Sequence, residues 1–66
     1  MKREAWRDLR PGMTVRVVAP ISAMERDLLG RVFRIDRFDG THGYAVVRDE
    51  HGAWHVHPEA LQEVTP

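Results

Sequence analysis

The chain has 66 residues, and its ten Lys/Arg and ten Asp/Glu cancel; that length holds one domain and excludes the strongly basic type of nucleic-acid module that net charge alone would announce. It has no cysteine, which excludes disulfides and thiolate metal sites, and because small secreted domains ordinarily need such staples the expected compartment is the cytoplasm. The longest apolar run, Val17 to Ile21, is five residues with Pro20 inside it, which excludes a membrane-spanning helix, and no apolar signal region follows Met1-Lys2-Arg3.

Residues 1–8 read as a charged N-terminal extension in which Trp6 is the one large apolar group, either a helical turn or a frayed end; residues 9–66 form the domain. Leu9-Arg10-Pro11-Gly12 reads as a turn, since proline presets φ and glycine accepts positive φ. In Met13 to Ala19, Met13, Val15 and Val17 alternate with Thr14, Arg16 and Val18, the period of a half-buried strand. Ala19 to Leu29 reads as a long loop holding one helical turn, with Ser22 and Glu25 spaced as a capping box between Pro20 and Gly30.

Gly30 to Ile35 reads as the second strand, with a bulge near Phe33-Arg34 that would turn both Val32 and Ile35 inward. Asp39 to Gly43 is a turn, Tyr44 to Arg48 a third strand, and Asp49 to Gly52 a hairpin of three to five residues. Ala53 to His57 is the fourth strand, with Trp54 and Val56 on one face and Ala53, His55 and His57 on the other. Pro58-Glu59-Ala60-Leu61 suits one short helical turn with proline near its start, and Glu63-Val64-Thr65 a fifth strand. Short β-branched runs cut by glycine turns predict an all-β domain, a small five-stranded antiparallel barrel. Its expected core is Val15, Val17, Val32, Ile35, Val47, Trp54, Val56 and Leu61.

These residues resemble the small Src-homology-3-like barrels of bacterial and ribosomal proteins, KOW-type modules among them. The likeness lies in Leu9-Arg10-Pro11-Gly12-Met13-Thr14-Val15-Arg16-Val17, Gly30-Arg31-Val32-Phe33-Arg34-Ile35 and Trp54-His55-Val56-His57-Pro58-Glu59-Ala60-Leu61, and spans roughly residues 9–64. It implies five strands and a binding role, toward protein, RNA or DNA.

Residues 1–34 hold eight Lys/Arg and four Asp/Glu, whereas residues 35–66 hold two and six. Nine of the ten basic residues are arginine, the side chain best suited to bidentate phosphate contacts. Arg16, Arg31, Arg34 and Arg37, interleaved with Phe33, Phe38 and Tyr44, form a strip suited to stacking on single-stranded nucleic acid. Trp6, outside the barrel pattern, is a candidate lid or partner contact. His55 and His57 point the same way on a strand and, with His42 or His51, would supply nitrogens to a metal or respond to pH. Asp36, Asp39, Asp49 and Glu50 lie at or beside turns, where acidic residues serve the backbone. No catalytic residue, cofactor or metal is assigned.

The expected function is that of a non-enzymatic binding module, monomeric and away from membranes. A protein-interaction or regulatory role comes first, through a groove beside residues 20–29. The alternative is binding of RNA or single-stranded DNA through the arginine-rich first two strands. The candidate contacts are Arg16, Arg31, Arg34, Arg37, Tyr44 and Trp6. A third reading, a small enzyme or metal protein built on the histidines, is separable by zinc titration.

Overall fold

The computed structural model describes residues 8–65, so Trp6 and nearly all of the N-terminal extension lie outside the described residues. Five strands follow in order: β1 (Thr14–Val17), β2 (Val32–Asp39), β3 (Tyr44–Asp49), β4 (Gly52–Val56) and β5 (Leu61–Glu63). A short helix, α1 (Ala23–Asp27), lies between β1 and β2, and a 3-10 turn (Pro58–Ala60) precedes β5. The strands form one antiparallel sheet in the order β4-β3-β2-β1-β5. The all-β expectation holds, including the helical turn before the last strand. The expected closure does not. Among the described residues β4 and β5 remain the edges of the sheet, because β5 is only three residues long and directs its ladder to β1.

One face of each strand supplies the core. Val15 and Val17 of β1, Phe33 and Ile35 of β2, Ala45 and Val47 of β3, Val56 of β4 and Leu61 of β5 are all buried. Leu9 and Leu28 join the same cluster, and Met13 and Trp54 pack against it while half-exposed. Fully burying an aliphatic or aromatic side chain of this size stabilises by about 1.5–3 kcal/mol.

Two expectations about β2 are corrected here. Val32 is 41% exposed rather than core, and Phe33 takes the inward position with Ile35 in plain alternation. The register shift falls between Ile35 and Arg37, at Asp36, and not at Phe33-Arg34. A bulge there re-aims the chain after the core positions are already set, and β2 continues to Asp39 beyond its expected end.

The connections follow local chemistry. Ser22 caps α1 with its hydroxyl accepting from the Glu25 backbone N–H at 3.2 Å, while Glu25 Oε1 accepts the Ser22 N–H at 3.1 Å; this is the reciprocal capping box its spacing implies. Gly30 has φ +84°, in the left-handed region open chiefly to glycine. From that conformation its N–H donates to the Val17 carbonyl at 2.8 Å, which leads the chain out of the loop alongside β1. The β3–β4 connection is tighter than expected. Asp49 pairs with Gly52, which leaves Glu50 and His51 as the whole loop, and Asp49 Oδ1 accepts the His51 N–H at 2.8 Å. The last strand starts two residues earlier than expected, at Leu61, because that side chain is buried and anchors it.

Candidate functional site

The face of the sheet opposite the core carries the charge. Alternation along β1 turns Val15 and Val17 inward and Arg16 outward, and along β2 it turns Phe33 and Ile35 inward and Arg34 outward. Register then assembles the outer face row by row. Arg16 faces Val32, and Thr14 faces Arg34; Arg34 in turn faces Arg48 of β3. The bulge at Asp36 restores Arg37 to the outer side, where it faces Val46, and Val46 faces His55 of β4. Val46 is only 2% exposed although it points away from the core, and Arg37 and His55 are its cross-strand neighbours in register.

Arg16, Arg34, Arg37 and Arg48 are thus one connected group. Directly opposed residues on neighbouring strands stand about 4.5–5.5 Å apart at Cβ and diagonal ones about 7–8 Å apart. One carboxylate lies among them: Asp36, whose Oδ2 accepts from Arg37 at 2.7 Å and whose Oδ1 is 3.8 Å from the Arg48 guanidinium. The other described acidic side chains are Asp8 ahead of β1, those of α1, those at the ends of β2 and β3 and in the turn after β3, and those on the 3-10 turn and the β5 edge. A chain of zero net charge therefore carries a basic sheet face with acidic ends. Arg34 opposite Arg48 is a like-charge cross-strand pair, an arrangement that costs stability and that a bound anion would relieve.

Of the six contacts expected from the sequence, the structure brings Arg16, Arg34, Arg37 and Tyr44 onto this face. Arg31 is placed elsewhere. It precedes β2 with the parity of Phe33, so its guanidinium lies over the Phe33 and Trp54 rings at 5.2 and 5.1 Å from their centroids. Its terminal nitrogen bonds Asp49 Oδ2 at 2.8 Å. Burial pushes the Asp49 carboxyl up, but the His51 N–H and the Arg31 guanidinium outweigh it and hold the group below its ordinary value. Arg31 covers one end of the core and does not belong to the strip. Trp6 lies outside the described residues. Arg48 was missed, since only the β2–β3 register places it opposite Arg34.

At the other end of the face the strands carry aromatic rings. Tyr44, on the outer side of β3, meets His57 edge-on with centroids 5.2 Å apart, and His55 with centroids 6.3 Å apart. His57 is held from behind by Glu25, which is fully buried. Glu25 Oε2 accepts the His57 backbone N–H at 2.6 Å and its Nδ1 at 2.8 Å. Oε1 accepts the N–H groups of Ile21 and Ser22 at 2.7 and 3.1 Å. Burial raises the Glu25 pKa, but these donors, His57 N–H first, outweigh it and hold the carboxyl below its ordinary value.

The remaining histidines are dispersed. His42 Nδ1 contacts Asp39 at 3.0 Å, which is the first cause of a lowered Asp39 pKa, and His51 lies 3.4 Å from Glu50. Among the described residues no group of three or more His, Asp and Glu is placed to hold a metal ion. No described helix is long and apolar enough to cross a membrane. Where the groove beside residues 20–29 was expected, Ile21, Met24 and Leu29 stand exposed, and Val18 and Val32 with them.

Compared with protein-family models, with curated proteins and with solved structures, the chain has no significant match.

Proposed function

We propose that the chain is a non-enzymatic binding module of the Src-homology-3-like kind, and that the outer face of β1–β3 binds the phosphate backbone of nucleic acid. One observation carries this reading: four guanidiniums cluster on one sheet face with only Asp36 among them, the face's other carboxylate, Asp39, lying one row beyond Arg37 opposite Tyr44. Guanidinium suits phosphate through its bidentate donor fork, and Arg16 and Arg34 have no carboxylate partner among the described residues. Phosphate contacts release condensed counterions, so the affinity of such a face falls steeply with salt.

The test is fluorescence anisotropy with labelled oligonucleotides at two salt concentrations. The expected affinity at physiological salt is about 10⁻⁴–10⁻⁶ M, the range of sequence-independent electrostatic binding. Changing Arg16 and Arg34 together to Gln should weaken it for every sequence and flatten the salt slope by roughly 0.7 per lost phosphate contact on a single strand. Binding that ignores both salt and these substitutions would remove the reading.

A second reading, protein interaction, has its own support. Five exposed large apolar side chains, Val18, Ile21, Met24, Leu29 and Val32, all fall within residues 18–32. Partner capture that is lost with Ile21→Ser and Leu29→Ser, and retained in the arginine variants, would favour it.

A further inference from the structure

We propose that Tyr44, with His55 and His57, forms a stacking subsite for an unpaired base, so that this face prefers single-stranded nucleic acid to duplex. The proposal rests on the phosphate-binding reading of the arginine face and adds to it a ligand class.

Three observations carry the inference. The first is continuity. Successive rows across the sheet run from Arg34–Arg48, through Arg37–Val46–His55, to Asp39–Tyr44. The aromatic group therefore adjoins the guanidiniums on the same outer face, one row beyond Arg37. A strand whose phosphates lie along the arginines brings its neighbouring base to Tyr44.

The second is ring chemistry. Tyr44 is half-buried and His55 exposed, and the two rings stand nearly perpendicular at 77°. Stacking on such side chains is open to every base, because every base has a π-face. In a duplex those faces are covered by neighbouring base pairs. Only an unpaired base presents one.

The third is rigidity. The His57 ring that braces Tyr44 is tied through Nδ1 to a carboxylate with no exposed surface, and that carboxylate is fixed by three backbone N–H groups. A platform already held in place loses little freedom when a base settles on it.

The experiment uses three fluorescein-labelled probes on the order of ten nucleotides long, within the span of known single-strand sites: a mixed-sequence single strand, the matching duplex, and a strand of the same length with abasic sites throughout. The abasic strand keeps the phosphates and removes the bases. The single strand should bind roughly ten-fold more tightly than the abasic strand, and also more tightly than the duplex. Tyr44→Leu should lower single-strand affinity to the abasic level with the salt slope unchanged, and Tyr44→Phe should retain it. Equal affinity for single and abasic strands, with a normal salt slope, overturns the stacking subsite while the arginine face stands. Binding of none of the three probes overturns both. The probe comparison needs no substitution, so it decides the matter even where Tyr44→Leu fails to fold.

Discussion

Glu25 and His57 lie 32 positions apart and are joined twice, the backbone N–H and the Nδ1 of His57 both donating to one carboxylate oxygen, Oε2. This pair fastens α1 to the end of β4. Glu25→Gln replaces an acceptor by an NH₂ group that faces two donors, and leaves at least one buried donor unsatisfied. An unsatisfied buried donor costs about 1–3 kcal/mol, and bonds to a charged acceptor lie at the upper end. The expected loss is roughly 2–3 kcal/mol, which lowers the melting temperature of a domain this size by about 10 °C or more. Thermal melts of the two proteins at neutral pH check it.

The same carboxylate sets a pH dependence. Its pKa is depressed in the folded chain, so the unfolded chain binds that proton more readily. Its contribution is complete above the unfolded value of about 4.3 and is lost as pH falls through the lower folded value. Asp39 and Asp49, also depressed, act in the same direction. The difference in melting temperature between wild type and Glu25→Gln isolates Glu25. It should be constant at neutral pH and shrink below about pH 4.

Arg31 and Arg34 are three positions apart in sequence and separate in role. Arg31→Gln removes the stacking on Phe33 and Trp54 and the partly exposed pair with Asp49, at a cost of about 1 kcal/mol. It should leave oligonucleotide affinity and its salt slope unchanged. Arg34→Gln should do the reverse, weakening binding while relieving like-charge repulsion with Arg48 and holding or raising the melting temperature. Melts and anisotropy on both variants test this crossed pattern.

Neighbouring positions on β2 should also differ sharply. Phe33→Ala opens the core and costs about 3–5 kcal/mol, enough to leave so small a domain largely unfolded. Val32→Thr, on the exposed outer face, should fall within about 0.5 kcal/mol of wild type. Trp54→Ala should cost less than Phe33→Ala, because Trp54 is only half-buried. Denaturant midpoints rank the three.

At Gly30 the cost is conformational alone. An added Cβ meets nothing within 4 Å, so no clash contributes, but φ +84° lies in a region that costs an L-residue about 1–2 kcal/mol. Gly30→Ala should lose about that much by equilibrium unfolding, and Gly30→Val more, since β-branching tightens the restriction.

What the sequence made readable was local. Ser22 and Glu25 lie within one turn, so their capping box could be recognised from spacing, as could the glycine turns and the alternation in Met13 to Val17. The parity of β2 was not readable in the same way. Val32 and Ile35 are both β-branched and three apart, which invites a bulge between them, whereas the irregularity lies at Asp36, where no apolar pattern marks it. The outer face was half legible. Arg16 and Arg34 follow from alternation along their own strands, but Arg37 joins them only through the bulge at Asp36 and Arg48 only through a cross-strand register. The second role of Glu25 was hidden for the same reason: a capping residue at the sequence level reveals nothing about a histidine 32 positions away.

The position of β1 in the sheet has a consequence for assembly. The strands β2, β3 and β4 form a meander joined by short turns, while β1 must also receive β5 from the far end of the described chain, Val17 meeting Leu61. Closing the longer loop costs more chain entropy, so the meander is the natural nucleus and the β1–β5 ladder the last part to dock and the first to open. When β5 lifts away, β1 becomes a bare edge beside an exposed Val15 and Val17. At high concentration β5 of a second molecule can fill that edge, a strand-exchange route to dimers in addition to the edge that β4 already presents.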